Sequence, residues 1–234
     1  MLGDLVTVIL CGGRGSRAYP ATEEVPKPLL RVGGLPVVEH VIGIYARRGC
    51  RRFVLATGYL GDRLAEHFRD GRPDAEVTCV DTGADTPTGE RLRRCLPWAG
   101  NGTFLATYSD GLGDVDLDAL VRRHRDHGRA ATVTAVPLPS QYGTLDVDGS
   151  GRVGGFVEKP RLEGHWINAG FFVLEPRALA APGADLEREM LPALATAGEL
   201  HAYRHPGFWR SLDTLKDQVE LDGLAGDGVR PPWW

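Results

Sequence analysis

A glycine- and arginine-rich segment follows the first apolar run of the chain. Residues 11–20 read Cys-Gly-Gly-Arg-Gly-Ser-Arg-Ala-Tyr-Pro and come directly after the β-branched run 5–10. Three glycines within four residues let main-chain N–H groups converge on one anion. Arg14 and Arg17 add positive charge and forked hydrogen-bond donors. The segment therefore predicts a phosphate-binding loop, although a simple βα turn with solvated arginines would have the same composition.

Lysine is rare in this chain, so its positions are informative. Of the 27 basic residues only three are lysines, namely Lys27, Lys159 and Lys216. Lys27 lies between two prolines, which we expect to hold its main chain extended. A compact ammonium also suits a crowded triphosphate better than a broad guanidinium does. Lys159 stands in Glu-Lys-Pro, where an exposed pair with Glu158 is the alternative to a ligand contact, and Lys216 is predicted to lie on a solvated helix face.

Two carboxylates far apart in sequence could hold a divalent metal. Asp110 follows an apolar run that ends at Tyr108, and Asp213 lies in Ser-Leu-Asp-Thr near the start of the last predicted helix. Hard oxygen ligands of this kind hold Mg²⁺ together with substrate phosphates. The alternative for each aspartate is a turn or a helix cap. Asp114 and Asp116 also form a D-x-D pair, but we expect Asp116 to cap the helix that follows.

Strands and helices alternate along the first 137 residues, which predicts a mainly parallel sheet covered on both faces. The order predicts an α/β protein with a Rossmann-like three-layer α/β/α arrangement, a mainly parallel mixed sheet and an added β-hairpin. Ligands bind at the carboxyl ends of strands in such sheets, which selects the loops after Leu10, Val80 and Tyr108. The predicted strands are 5–10, 52–57, 76–80, 104–108, 131–137, 167–174 and 200–204, the hairpin strands are 143–147 and 152–157, and the helices are 36–48, 61–69, 89–95, 116–127, 186–196 and 212–224.

Composition excludes several classes of protein. The 234 residues carry a formal charge of −4, so the whole chain has no general attraction to nucleic acid or an anionic membrane. No apolar run approaches the ~20 residues of a membrane span, and no signal peptide is evident, so we expect a cytoplasmic protein. The four cysteines show no C-x-x-C spacing, which argues against a zinc or redox motif and fits a reducing compartment. The length allows one large domain, 1–234.

Taken together, these motifs resemble the sugar nucleotidyltransferase family (nucleotide-sugar pyrophosphorylases) over nearly the whole chain. The hallmark G-G-x-G-x-R…P-K-P stands here as G-G-R-G-S-R…P-K-P. The stretches D-T-G-A-D-T-P-T-G-E-R-L, F-V-E-K-P, I-N-A-G-F-F-V-L and H-P-G-F-W-R-S-L-D-T-L most resemble the glucose-1-phosphate cytidylyltransferases. The resemblance implies an enzyme that transfers a nucleotidyl group from an NTP, with CTP favoured, to a sugar 1-phosphate. The products would be pyrophosphate and CDP-glucose or a related CDP-sugar. The resemblance also implies Mg²⁺ as the cofactor and allows a homo-oligomer.

The resemblance also implies roles for individual residues, with 1–137 as the nucleotide-binding half and 138–234 as the sugar-phosphate-binding half. The catalytic residues would be Arg17, Lys27, Asp110 and Asp213, of which Asp110 and Asp213 would also bind the metal. The nucleotide would be held by Leu10, Cys11, Gly12, Gly13, Arg14, Gly15, Ser16, Thr86, Gly89, Arg91 and Ser109, with Thr86, Gly89 and Arg91 lining the base pocket. The sugar phosphate would be held by Tyr142, Gly143, Glu158, Lys159, Asn168 and Ala169.

Some residues depart from the family pattern and leave alternatives open. Cys11 stands where alanine is usual, Ser109 replaces glycine, and Trp166 and a short stretch between Phe68 and Val77 are also atypical. The nucleotide could instead be GTP, UTP or dTTP, and the sugar another hexose, a heptose or a cyclitol. Less expected alternatives are a GT-A-like glycosyltransferase that uses Asp114 and Asp116, and a sensor that binds a nucleotide sugar without turnover.

Overall fold

A seven-stranded sheet forms the centre of the computed structural model, which describes residues 2–226 and 230–234. The strands, in chain order, are β1 (Val6–Leu10), β2 (Arg31–Val32), β3 (Leu35–Pro36), β4 (Arg52–Thr57), β5 (Glu76–Asp81), β6 (Phe104–Tyr108), β7 (Gly111–Gly113), β8 (Ala131–Pro139), β9 (Thr144–Val147), β10 (Val153–Val157), β11 (Arg161–Leu174), β12 (Leu200–Arg204) and β13 (Trp209–Ser211). The central sheet has the order β12-β8-β11-β6-β1-β4-β5. All its neighbouring pairs are parallel except those of β11, which runs antiparallel to β6 and β8.

Helices cover both faces of this sheet. They are α1 (Val37–Ala46), α2 (Gly61–His67), α3 (Thr88–Ala99), α4 (Leu117–His127), α5 (Leu191–Thr196) and α6 (Leu215–Ala225), with a π-turn over Leu186–Met190 directly before α5. Within residues 2–226 and 230–234, every helix is too short or too polar to span a lipid bilayer.

The strand side chains alternate between two buried clusters because successive residues of a strand point to opposite faces. In β1, Ile9 belongs to the cluster that includes α1, α4 and α6, whereas Val8 belongs to the cluster that includes α3 and the π-turn. Both side chains are completely buried. This arrangement explains the continuous apolar runs in the sequence, and it confirms the predicted three-layer α/β/α fold with a mainly parallel mixed sheet.

Strand β11 is long and interrupted. Its pairing with β8 shifts register twice, once between Leu162 and Trp166 and once between Asn168 and Phe172. The second irregularity contains Gly170, whose φ of 80° favours glycine. A Cβ at Gly170 would lie 2.3 Å from the ring of Tyr108, so glycine also allows that ring to pack against the strand. The carboxyl end of β11 is thereby fixed in the sheet, while its amino end extends past the edge where β6 ends.

Two small ladders lie outside the central sheet. Strands β9 and β10 form the predicted antiparallel hairpin, which is exposed along its length. Strands β7 and β13 pair antiparallel, with Ser211 opposite Gly111. The sequence did not predict this second ladder, because its strands are three residues long and almost one hundred residues apart.

His124 on α4 is only 2% exposed and bonds to Thr132 and Glu175. The predicted helices and strands are present, but two local expectations were wrong. The main chain is extended at Pro26 but turns into a short 3₁₀ helix at Lys27, so the flanking prolines do not keep Lys27 extended. Pro36 caps α1 rather than beginning it.

The described end of the chain packs on the body of the protein. Trp233 is 2% exposed, donates from Nε1 to His40 Nδ1 at 3.2 Å, and lies 5.8 Å from the ring of Phe208. The guanidinium of Arg47 lies over the ring of Trp234. Trp233 thus joins α1, through His40, to the segment that leads into β13, through Phe208.

Candidate active site at the carboxyl edge of the sheet

Lys27 lies between the two aspartates that were selected from the sequence. Its Nζ donates to Asp110 Oδ2 at 2.5 Å and to Asp213 Oδ1 at 2.9 Å. The lysine side chain is 10% exposed, and the two carboxylate side chains are 19% and 25% exposed. Residues 83 and 186 positions from Lys27 thus meet at one ammonium, which makes this cluster the centre of the site.

The small ladder between β7 and β13 brings Asp213 to Asp110. Asp110 lies between the end of β6 and β7, and the main-chain N–H of Leu212 donates to the carbonyl of Asp110 at 2.9 Å. The residue just before Asp213 is therefore hydrogen-bonded to the main chain of Asp110. This bond brings the two aspartates next to each other. Thr214 then caps α6 in a capping box with Asp217, which fixes the main chain just after Asp213.

The charge of Lys27 keeps Asp213 ionised. Burial by itself would raise the pKa of the Asp213 carboxyl, but the hydrogen bond and charge of Lys27 hold that pKa below its usual range. Ser211 donates to the second oxygen, Oδ2, at 2.9 Å, and Arg17 lies 3.0 Å from Oδ1. The site is thus a pair of carboxylates with two cations, and one of those cations, Arg17, is largely exposed and can reach an incoming anion.

The glycine-rich loop is packed directly against Lys27. Gly15 has a φ of 63°, and a Cβ at this position would lie 2.9 Å from Cβ of Lys27. Thr22 donates to the carbonyl of Gly15 at 3.1 Å, which holds the loop in place. At Gly13 a Cβ would meet no atom within 4 Å, so this loop is open to the cleft at Gly13 and closely packed at Gly15. Ser16 is exposed in the short 3₁₀ turn that follows.

Arg91 ties the glycine-rich loop to the loop after β5. The guanidinium is buried and donates to the carbonyls of Gly12, Thr57, Gly83 and Ala84 and to the hydroxyl of Thr82. A Cβ on Gly12 would lie 2.0 Å from this guanidinium, which explains the glycine there. Arg91 thus supports both loops from beneath.

Two other residues assigned to the base pocket also have packing roles. Thr86 donates to the carbonyl of Thr82 at 2.5 Å and accepts from Arg94. A Cβ on Gly89 would lie 2.2 Å from the sulfur of Met190, so glycine lets the first turn of α3 approach the π-turn. Arg14 closes the same region from the solvent side through its ion pair with Asp85 at 3.1 Å.

Leu10, Cys11 and Ser109 form the buried floor of the site. Cys11 is 3% exposed, Ser109 is 6% exposed, and Leu10 is 7% exposed. Burial raises the pKa of the Cys11 thiol well above its ordinary value, so the sulfur stays protonated and is not a nucleophile.

Asn168 and Ala169 approach the same edge from β11. Asn168 Nδ2 donates to the hydroxyl of Tyr108 at 3.3 Å. The carbonyl of Ala169 accepts from Trp209 Nε1 at 2.8 Å, which places this segment beside β7 and β13. Tyr108 also bonds to Glu187, a carboxylate that the sequence reasoning missed because nothing in the local pattern around 186–190 marks a ligand site.

The remaining residues assigned to the sugar phosphate lie at the base of the hairpin. Glu158 and Lys159 are exposed and form a pair at 3.5 Å. A Cβ on Gly143 would lie 3.0 Å from Glu158 Oε2, and Tyr142 is 78% exposed. Within residues 2–226 and 230–234, no hydrogen bond or ion pair connects this group to the Lys27 cluster. Lys159 has a φ of 47°, an uncommon conformation for a residue with a side chain.

The two aspartates of the D-x-D pair have different partners. Asp116 accepts from the N–H of Ala119 at 3.0 Å and caps α4, as predicted. Asp114 instead lies 2.9 Å from His205 Nε2. The two carboxylates therefore have separate structural partners.

Residues 6–219 of the chain match the Nucleotidyl transferase family. The chain belongs to this family. Among its relatives, the glucose-1-phosphate cytidylyltransferase of Salmonella typhi is 38% identical over 252 aligned positions, which cover 97% of each chain. A mannose-1-phosphate guanylyltransferase catalytic subunit beta of Danio rerio is 32% identical over 90% of this chain and 61% of its own length. The protein is thus a nucleotidyltransferase, and the cytidylyltransferase matches it over nearly the whole of both chains.

A solved structure has the same fold as this nucleotidyltransferase. The crystal structure of HddC from Yersinia pseudotuberculosis, complexed with GMP-PN, superposes with a TM-score of 0.72 and covers 94% of this chain and 98% of its own. The two sequences are 20% identical, so this likeness concerns the fold.

Proposed function

We propose that the protein transfers a cytidylyl group from CTP to glucose 1-phosphate and releases CDP-glucose and pyrophosphate. The cluster of Lys27, Asp110 and Asp213 at the carboxyl edge of the sheet supports the reaction. The 38% identity to a glucose-1-phosphate cytidylyltransferase over 97% of each chain supports the choice of substrates. In this reaction an oxygen of the sugar phosphate forms a bond to the α-phosphorus of CTP, and the bond between the α- and β-phosphates breaks.

The donor set of the cluster suits Mg²⁺. Asp110 and Asp213 supply hard carboxylate oxygens, and Mg²⁺ in proteins typically takes one or two carboxylates together with substrate phosphates. Both carboxylates contact the single Nζ of Lys27, so they lie close enough to share one ion. Such an ion would neutralise phosphate charge during the transfer. One ligand comes from the predicted nucleotide half, 1–137, and the other from the predicted sugar-phosphate half, 138–234.

The charged side chains have a positioning and neutralising role. We assign Lys27, Arg17 and the N–H groups of residues 12–15 to the triphosphate, where they stabilise the departing pyrophosphate. We assign Lys159 and Glu158 to the sugar phosphate. The ammonium of Lys159 would offset the charge of the sugar phosphate as that anion approaches the triphosphate of CTP. The chemistry needs alignment and charge neutralisation more than proton transfer, which is consistent with a neutral, buried Cys11.

Pyrophosphate release tests the proposal. The protein is assayed with each of CTP, UTP, GTP and dTTP against glucose, mannose and galactose 1-phosphates, with Mg²⁺ present. We expect turnover with CTP and glucose 1-phosphate, and none in the D110N variant, whose far-UV circular dichroism spectrum at 25 °C should match that of the parent. Turnover with GTP alone, or with none of the pairs, would contradict the proposal.

A lysine pair tests the assignment of the sugar-phosphate subsite. Lys159→Ala should raise KM for the sugar phosphate at least about tenfold, since a charge-assisted contact contributes roughly 1.5–3 kcal/mol, and it should leave KM for CTP nearly unchanged. Lys216→Ala is the matched control, because Lys216 is 75% exposed and lies 3.9 Å from Glu220 on α6. Equal rises in both KM values for the Lys159 variant would remove Lys159 from that subsite.

A further inference from the structure

A chain of hydrogen bonds runs from the π-turn to Asn168 at the carboxyl edge of the sheet. It contains Thr88 at the start of α3, Glu187 in the π-turn, Tyr108 at the end of β6 and Asn168 on β11. The start of α3, the end of β6 and the π-turn thus meet at the carboxylate of Glu187. Single π-turns occur frequently at functional sites.

Both oxygens of Glu187 are held. Oε1 accepts a hydrogen bond from the hydroxyl of Tyr108, and Oε2 accepts from the hydroxyl of Thr88 at 2.7 Å. Thr88 in turn accepts from the main-chain N–H of Leu186 at 2.9 Å, which locks its hydroxyl toward Glu187. The carboxylate is therefore fixed in position by groups on two elements.

The direction of each hydrogen bond follows from chemistry. An ionised carboxylate can only accept, so the Tyr108 hydroxyl must donate to Glu187. The oxygen of Tyr108 is then an acceptor for Asn168, and its partner must be the Nδ2 end of the amide, which lies 3.3 Å away. At the other end, Asn168 Oδ1 accepts from the N–H of Gly170 at 2.8 Å.

The amide of Asn168 is thus oriented from both ends. Burial raises the pKa of the Tyr108 hydroxyl, and Glu187 raises it further, so Tyr108 keeps the proton that this arrangement requires. Asn168 itself is exposed at the carboxyl edge of the sheet. Its second N–H and the second lone pair of Oδ1 have fixed directions there, and a sugar hydroxyl both donates and accepts hydrogen bonds.

We propose that Glu187 is a positioning residue for sugar selectivity, which acts through Tyr108 to fix the donor and acceptor ends of Asn168 toward a hydroxyl of the sugar phosphate. This inference rests on the proposed function, since it names the residues that recognise the second substrate. It goes beyond that function in assigning a role to Glu187, Tyr108 and Thr88.

Side-chain amide NMR tests the orientation without any turnover. The chain has two asparagines and two glutamines, so four side-chain NH₂ groups are expected, and the Asn168→Asp variant identifies the pair of Asn168. In the Y108F and E187A variants we expect the Asn168 pair to shift and to exchange with water faster. An unchanged Asn168 pair in both variants would overturn the proposal, whatever the enzyme's substrates are.

Kinetics test the consequence for selectivity. In Y108F and E187A we expect KM for the sugar 1-phosphate to rise about tenfold, as for the loss of an aligned hydrogen bond, with KM for CTP unchanged. Preference for glucose 1-phosphate over galactose and mannose 1-phosphates should fall by a similar factor. The double variant should be no worse than either single variant, because both changes break one relay.

E189Q is the matched control. Glu189 lies in the same π-turn, but within the described part of the chain its side chain accepts hydrogen bonds from main-chain N–H groups alone, those of Ala184 and Asp185. It should lower stability without changing the ratio of the two KM values. Equal rises in both KM values for E187A, or the same selectivity in E187A as in the parent, would show that Glu187 only stabilises the fold. An inactive parent protein on every substrate pair would instead overturn the proposed function and leave the NMR result to decide the relay.

Discussion

Replacing Lys27 by methionine should change metal binding and catalysis in opposite directions. In the structure the ammonium satisfies both Asp110 and Asp213, at 2.5 Å and 2.9 Å. A divalent cation that takes the same carboxylates must compete with that ammonium. The K27M variant removes the competitor and leaves two carboxylates close together, which favours an added cation.

The size of the effect follows from the two contacts. Hydrogen bonds between charged groups contribute roughly 1.5–3 kcal/mol each, and two that share one Nζ are not additive, so we take about 3 kcal/mol for the pair. That corresponds to an increase in Mg²⁺ affinity of about 100-fold at about 1.4 kcal/mol per tenfold. Arg17→Met is the control: its side chain is 73% exposed and 3.0 Å from Asp213, and an exposed pair contributes about 0–1 kcal/mol, so affinity should rise at most about fivefold.

Isothermal titration of the nucleotide-free protein with MgCl₂ measures this directly. Turnover should move the other way, because K27M lacks the cation assigned to the triphosphate, and kcat should fall at least about 100-fold. An Mg²⁺ affinity for K27M that is equal to or weaker than that of R17M would refute the reasoning, since it would show that the two carboxylates do not share an ion.

Three further predictions concern stability. Trp233→Ala should lower the free energy of unfolding by about 3 kcal/mol, since the ring is buried. Trp98→Ala is the control, and it should change the free energy of unfolding by less than about 0.5 kcal/mol because Trp98 is 47% exposed. Chemical denaturation compares the two variants, and equal losses would be inconsistent with the docked tail. Burial, together with the neighbouring histidines, lowers the pKa of His127 from 6.5 to about 4. Below about pH 6.5 the imidazole of His127 is therefore protonated in the unfolded chain, whereas the folded protein binds that proton only near pH 4. The contribution of His127 to stability should be complete above about pH 6.5 and should fall as the pH drops toward 4. In thermal unfolding, H127Q should flatten part of this fall of Tm with pH, and an unchanged fall would contradict the assignment. Arg91→Met should leave several buried carbonyls without a donor and cost about 3 kcal/mol, which lowers Tm by about 6–12 °C; a Tm within about 2 °C of the parent would show that the loops do not depend on it.

The sequence was sufficient for the elements whose signals are local. The strands 52–57, 104–108 and 200–204 have the bounds that the sequence predicted, because each is bounded by polar or turn residues. The hairpin was also readable, since Asp-Gly-Ser-Gly separates its two strands. The glycine-rich loop was predictable because three of the four residues 12–15 are glycines, and the structure gives Gly15 a positive φ.

What the sequence could not show is which distant segments meet. The ladder that brings Asp213 to Asp110 pairs two three-residue strands, and so little chain has no periodicity of its own. His124 has the same polar neighbours as a solvated residue, and only the packing of Thr132 and Glu175 makes it a buried one. Glu187 was missed for a related reason, because its partners Thr88 and Tyr108 lie on other elements.

The interruptions of β11 separate two tasks within one strand. A regular strand that slips by one residue turns every side chain to the opposite face. Here the irregularity around Gly170 divides the strand. The faces to which residues 172–174 point in the core are therefore independent of the faces to which residues 166–168 point at the carboxyl edge of the sheet. Substitutions at 166–168 can therefore change the side chains that the strand presents at the carboxyl edge of the sheet without moving Phe172 out of the core.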